Sequence, residues 1–171
     1  AWSRVIAQFP KAKLWILGDG SEGRVVWTNI LEKHLVQSVV MPGSFDDTQE
    51  IFQAADLYVH PLKSDEGCGF LARALAAGVG SVVTSTQFTQ TIVEHNVNGL
   101  VVNTDDPRAL GDAIILALGN PDLRVRLGEE GRMSAIKQFD IQNSVNHFLR
   151  PFEKQTTLRI PDSSSTDKDH L

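Results

Sequence analysis

The stretch Tyr58-Val59-His60-Pro61-Leu62-Lys63-Ser64-Asp65-Glu66-Gly67-Cys68-Gly69-Phe70, continued by Leu71-Ala72-Arg73-Ala74-Leu75-Ala76-Ala77-Gly78, decides the reading of this chain. It predicts a strand, then an acidic glycine loop, then the start of a helix. Glycines let backbone N–H groups come close to a ligand, and a helix start adds partial positive charge that favours a phosphate. A carboxylate beside them suits sugar hydroxyls. Together these features point to a pocket for a molecule that carries both a diphosphate and a sugar.

Outward from that loop, short apolar runs bounded by turn residues alternate with segments of helical periodicity. Residues 13–17, 38–41, 57–60, 81–84 and 100–102 read as strands. Residues 22–34 read as a helix capped by Ser21, and 48–55 as one capped by Asp46 or Asp47. Residues 70–77 form the helix after the glycine loop, with Gly78 as its C-cap. A short helix over 89–94 and an Asn98-Gly99 turn precede the fifth strand. Asp105 or Asp106 before Pro107 starts a helix to residue 118, and Asn120-Pro121 starts another reaching about 139. A last helix begins at Asp140 or Asn143. Trp2, Val5, Ile6 and Phe9 already have helical spacing at the beginning of the chain. Alternation of this kind predicts an α/β Rossmann-like domain, a parallel sheet with helices on both faces and ligands beyond the carboxyl ends of the strands. The domain is expected to span residues 1–154. The polar, serine-rich remainder, 155–171, reads as a disordered tail.

Length and composition agree with one such domain. The 171 residues are 42% apolar and 22% charged, enough to bury a core. A formal charge of −5 argues against nucleic acid as a partner. No apolar run approaches the roughly 20 residues that cross a bilayer, which leaves only peripheral membrane contact open. Cys68 is the single cysteine, so neither an intrachain disulfide nor a thiolate cluster is available, and cytoplasmic residence fits.

The individual motifs carry unequal weight. Gly18-Asp19-Gly20-Ser21-Glu22-Gly23 matches a dinucleotide fingerprint between a strand and a helix, but the next strand ends Val40-Met41-Pro42-Gly43 without the acidic residue that hydride chemistry needs. Gly18 therefore reads as a tight turn or as a residue near a phosphate. Cys68 reads as a small buried thiol rather than a nucleophile. His60 ends a strand at the ligand rim, where a structural role is favoured. Thr84-Ser85-Thr86 supplies either hydroxyl and N–H contacts or a plain polar turn. Trp2, Trp15 and Trp27 are expected on packed apolar faces. No spacing of histidines or carboxylates suits a metal, so no protein-bound metal and no cofactor is expected.

Taken in order, Leu14-Trp15-Ile16-Leu17-Gly18-Asp19-Gly20, then Phe52-Gln53-Ala54-Ala55-Asp56-Leu57-Tyr58-Val59-His60-Pro61, then Glu66-Gly67-Cys68-Gly69, Ala76-Ala77-Gly78-Val79, Asn98-Gly99-Leu100-Val101-Val102 and Asp106-Pro107-Arg108-Ala109-Leu110 resemble the C-terminal, donor-binding domain of retaining GT-B glycosyltransferases of the group 1 type. The resemblance covers roughly residues 1–150. It implies that a nucleotide-diphosphate sugar is the donor, with its diphosphate on the N–H groups of Gly67, Cys68, Gly69 and Phe70. It gives Glu66 the contact to the donor sugar and hence the catalytic position, with Asp65 as a rival. Gly43, Ser44 and Phe45 fall where the family contacts the base. Aligning Ala76-Ala77-Gly78 puts Arg73 where the family has a second Glu on the ribose. The resemblance further places the family's first strand, with an Arg and a Lys for the diphosphate, and the whole acceptor domain upstream of Ala1.

The expectation is a hexosyltransferase-type enzyme in the complete protein, transferring sugar with retention to a glycan, lipid or small-molecule acceptor, and an inactive isolated chain. Two other classes remain beside it: a non-catalytic nucleotide-sugar-binding module, which Arg73 and the Gln87-Phe88 segment favour, and a sugar-nucleotide epimerase of the same fold.

Overall fold

The computed structural model describes residues 1–139 apart from 46, 47 and 66. Its elements are α1 (Trp2–Gln8), β1 (Leu14–Leu17), α2 (Gly23–Glu32), β2 (Val39–Gly43), α3 (Gln49–Ala54), β3 (Tyr58–His60), α4 (Cys68–Ala76), β4 (Ser81–Thr84), α5 (Thr89–Ile92), β5 (Leu100–Val102), α6 (Pro107–Gly119) and α7 (Pro121–Phe139). Everything up to Gln138 belongs to one compact unit. The order is the expected one throughout. The expected helix start at 140 or 143 and the expected tail lie outside the described residues.

Local signals explain most boundaries. The Asp106 carboxylate accepts from the N–H groups of Arg108 (3.0 Å) and Ala109 (2.8 Å), with Pro107 in the first turn of α6. Asp105, the other candidate cap, instead pairs with Lys63. Asn120 Oδ1 accepts from Leu123 N at 3.0 Å and starts α7. Gly78, at φ +77°, follows α4 in a Schellman arrangement: its N–H donates to Leu75 O and that of Val79 to Ala74 O. Ser21 does not cap α2; Glu22 is the N-cap and no side chain bonds there. Helix α4 starts at Cys68 rather than Phe70, because left-handed Gly67 turns the chain before the helix.

All strand pairs are parallel, but the sheet is in two parts. β1 pairs with β2 through Leu14↔Val39 and Trp15↔Val40; β3, β4 and β5 pair in that order through Tyr58↔Ser81 and Val82↔Leu100. Among the described residues, β1 on the side away from β2 and β3 on the side away from β4 have no strand partner. Helix α1 serves both parts. Trp2 packs against the cluster of Val5, Val82 and Leu100 and also against that of Ile30, Leu35 and Val39.

The wrapping of both faces shows in β4, where successive side chains point to opposite sides. Val82 packs with Val5 of α1, Ile114 and Ala117 of α6 and Leu127 of α7. Val83 packs with Leu71 and Leu75 of α4, Ile92 of α5 and Ala135 of α7. Both valines are fully buried, each contributing on the order of 1.5–3 kcal/mol. On the β1 and β2 half-sheet only one face is filled in this way. Trp15 is 53% exposed and Trp27 42%, so the expectation that they pack is corrected; Trp2, bonded through Nε1 to Ser38 Oγ at 3.0 Å, is the one that does.

Candidate functional site

The strand-to-loop exits gather at the carboxyl ends of the strands, where a doubly wound sheet binds its ligands. The exit of β3 is the most constrained. His60 is buried, and its Nδ1 lies 2.9 Å from the Tyr58 hydroxyl. Burial lowers the imidazole's pKa and raises that of the Tyr58 phenol, so both groups are uncharged at neutral pH. The Thr84 hydroxyl, at the end of β4, donates to the carbonyls of His60 (3.1 Å) and Leu62 (2.5 Å), tying one exit to the next.

Beyond Leu62 the chain reaches Asp65, whose carboxylate accepts from the N–H of Phe88 at 2.9 Å. Bonds from the Thr86 side chain and then Phe88 hold its carboxyl below the usual carboxylate range. The Asp65 carbonyl accepts from the Cys68 thiol. Gly67 then adopts φ +71°, a left-handed conformation that glycine tolerates without strain. A Cβ there would sit 3.3 Å from Leu62 Cδ1. Helix α4 begins at the next residue with no side-chain cap, which leaves its positive end directed at the rim. No atom would meet a Cβ at Gly69 within 4 Å, so the backbone there borders open space.

The remaining candidates fall into two groups. Gly18 and Gly43 come together at the ends of β1 and β2, where Gly18 N–H donates to Gly43 O at 2.9 Å, and both have positive φ. Ser44 and Phe45 follow, both exposed. Gly67, Cys68, Gly69, Phe70 and Arg73 share the first turns of α4. The Arg73 guanidinium lies 5.9 Å from the Phe70 ring centre, and the same side chain borders a cleft of about 540 Å³ with Thr48, Gln49, Phe52 and Gln53 of the α3 region and Arg132 of α7. Thr84 stands apart from both groups as a buried residue whose hydroxyl is engaged by the backbone. Cys68 is half-buried. Glu66 lies outside the described residues. Among the described residues, no three His, Cys, Asp or Glu side chains cluster as metal ligands, and no helix is long and apolar enough to cross a membrane.

Sequence reasoning missed the knot that receives Asp65. Thr86 N–H donates to Thr89 Oγ1 (2.7 Å), Thr89 N–H donates back to Thr86 Oγ1 (3.2 Å), and Thr89 Oγ1 donates to Thr84 O (2.8 Å). The spacing of Thr86 and Thr89 is the local signal for it.

Comparison with known proteins gives this geometry its family. The sequence model for glycosyl transferases group 1 matches residues 1–134. The lipopolysaccharide core biosynthesis glycosyltransferase LpsE of Rhizobium meliloti is 26% identical over 145 residues, 85% of this chain and 43% of that protein. N-acetyl-alpha-D-glucosaminyl L-malate synthase of Bacillus anthracis is 26% identical over 149 residues, 86% of this chain and 39% of that protein. The chain thus spans about two fifths of these relatives. Among solved structures, the sucrose-phosphate synthase of Thermosynechococcus elongatus shares the fold with a TM-score of 0.79 at 23% identity, over 88% of this chain and 40% of that one. HepE of Anabaena, solved in complex with UDP, does so with a TM-score of 0.79 at 18% identity, over 89% and 44%. With Rossmann-like topology, a glycine loop at a helix start and a family match over residues 1–134, the chain belongs to the group 1 glycosyl transferases.

Proposed function

We propose that this chain is the donor-binding part of a glycosyltransferase that moves a hexosyl group from a nucleotide-diphosphate sugar to an acceptor hydroxyl with retention. The observation that carries the reading is the left-handed Gly67 followed at once by the uncapped start of α4, at the carboxyl end of β3. Backbone N–H groups and the helix dipole there suit the diphosphate, the group on which negative charge grows as the bond to the sugar breaks. The anomeric carbon exchanges its bond to the diphosphate oxygen for one to the acceptor oxygen on the same face, and the acceptor's proton leaves with the diphosphate. Glu66 takes the contact to the sugar; Gly43 and Ser44 lie toward the base. The UDP in the HepE structure supports a nucleotide donor.

Helix termini contribute roughly 0.3–2 kcal/mol each, which is small against the several powers of ten that charge stabilisation supplies in such reactions. On this reading the diphosphate also needs cations, a role that the family resemblance assigns to an Arg and a Lys on the family's first strand. We place that strand between β1 and β3, since among the described residues both edges lack a strand partner and α1 already covers the two half-sheets. In the strand order of doubly wound sheets, a first strand preceding α1 sits at that position. The isolated chain is inactive on this reading, and transfer needs no metal on the protein. The test uses the full-length protein with a donor sugar of known anomeric configuration and EDTA present. Product with the donor's configuration supports the reading; inverted product, or activity abolished by EDTA, refutes that part of it.

A second reading, a nucleotide-sugar-binding module without turnover, is favoured by Arg73. It places a cation stacked on Phe70 where the family has a carboxylate. Full-length protein that binds the nucleotide yet never consumes the sugar would select it.

A further inference from the structure

Asp65 and the residues after β4 are linked in a way that the proposed donor site does not account for. The loop from β3 to α4 is held from outside at two points. Thr84 Oγ1 holds Leu62 O at 2.5 Å, and Phe88 N–H holds the Asp65 carboxylate at 2.9 Å. Only Lys63 and Ser64 separate them, so the chain between has little freedom. The second point is anchored in the reciprocal Thr86–Thr89 bonds, where Thr84, Thr86 and Thr89 are all buried. The Asp65 carbonyl, engaged by the Cys68 thiol, carries the constraint into the first turn of α4. An N–H donating to a carboxylate is among the stronger kinds of protein hydrogen bond.

We propose that Asp65 is a positioning residue: its carboxylate latches the glycine loop onto the Thr84–Thr89 knot and so fixes where Gly67 and the first N–H groups of α4 stand. Its role in ligand binding rests on the donor-site reading above; the latch itself does not. The Asp65 oxygen that meets Phe88 is thereby committed to the protein, and the positioning role stands against the rival assignment of Asp65 as the sugar-contacting acid. No Thr86, Phe88 or Asp65 side chain needs to touch the donor for the latch to matter, because a displacement of about 1 Å at an oriented site is enough to cost roughly a hundredfold in rate.

The test compares Asp65→Ala and Asp65→Asn in the full-length protein with wild type, by residue-resolved amide hydrogen exchange and by calorimetric titration with UDP, GDP and ADP. Asparagine keeps an oxygen that accepts from Phe88 N–H; alanine does not. Asp65→Ala should speed exchange at Phe88 and weaken the nucleotide that wild type binds, each about tenfold, as expected for losing one bond to a charged group. Asp65→Asn should recover most of both. Unchanged exchange at Phe88 in Asp65→Ala would overturn the latch. An Asp65→Asn protein that binds that nucleotide as poorly as Asp65→Ala, with Phe88 still protected, would overturn the positioning role in favour of direct contact. If wild type binds no nucleotide, the donor reading fails while Phe88 exchange still decides the latch.

Discussion

Tyr58 Oη and His60 Nδ1 lie 2.9 Å apart on the same face of β3, and the pair forms the buried wall behind the glycine loop. His60 Cε1 is 3.9 Å from the point that a Cβ on Gly67 would occupy. A buried imidazole with a lowered pKa binds fewer protons than it does in the unfolded chain. The sign follows from linkage: stability from this group is present above the ordinary histidine pKa of 6.5 and is lost as pH falls from there toward the folded value. Urea midpoints should therefore drop between pH 7.5 and 5.5, and His60→Gln should flatten that slope. An equal slope in the variant would mean that His60 titrates as it does unfolded.

Gly67 is the residue on which the site's shape depends most. Any other residue there meets left-handed backbone strain of roughly 1–2 kcal/mol and the side chain of Leu62 at 3.3 Å. Gly67→Ala in the full-length protein should lower donor affinity by about tenfold or more, with a smaller loss of thermal stability. Full donor affinity in the variant would show that the loop's conformation is irrelevant to binding.

Among the described glycines, Gly128 leaves the least room for a Cβ. A Cβ on it would lie 2.1 Å from the Gly78 carbonyl oxygen and 2.9 Å from its carbon, so α7 can cross the α4–β4 turn only where it has no side chain. Neither backbone yields as a flexible side chain would. Gly128→Ala should destabilise by about 3 kcal/mol, the upper end for overpacking, read from chemical denaturation. A change below about 0.5 kcal/mol would indicate that α7 shifts freely over Gly78.

What the sequence discloses here divides by range. The caps at Asp106-Pro107 and Asn120-Pro121 and the C-cap at Gly78 depend on residues within one turn, and the chain states them directly. Val82-Val83, between Gly80 and Thr84, states a central strand equally plainly. Helix α4 begins two residues before its sequence-based start despite the poor helix propensity of Gly69, because the left-handed turn at Gly67 precedes it directly. Ser21 and Trp15 mislead for another reason. A capping residue type does not ensure the capping bond, and the apolar run of β1 does not tell whether both faces are covered. The division of the sheet between β1 and β3, and the reach of Asp65 to Phe88 across 23 positions, come from tertiary pairing that no local pattern encodes.

The most direct test of the donor-binding account is calorimetric titration of the full-length protein with UDP, GDP, ADP and their sugar forms, repeated with Glu66→Ala. The account predicts selective binding of one nucleotide, tightened by its sugar, with the sugar's contribution lost in the variant. Absence of binding by every nucleotide, or identical binding of the sugar forms by wild type and Glu66→Ala, would contradict it.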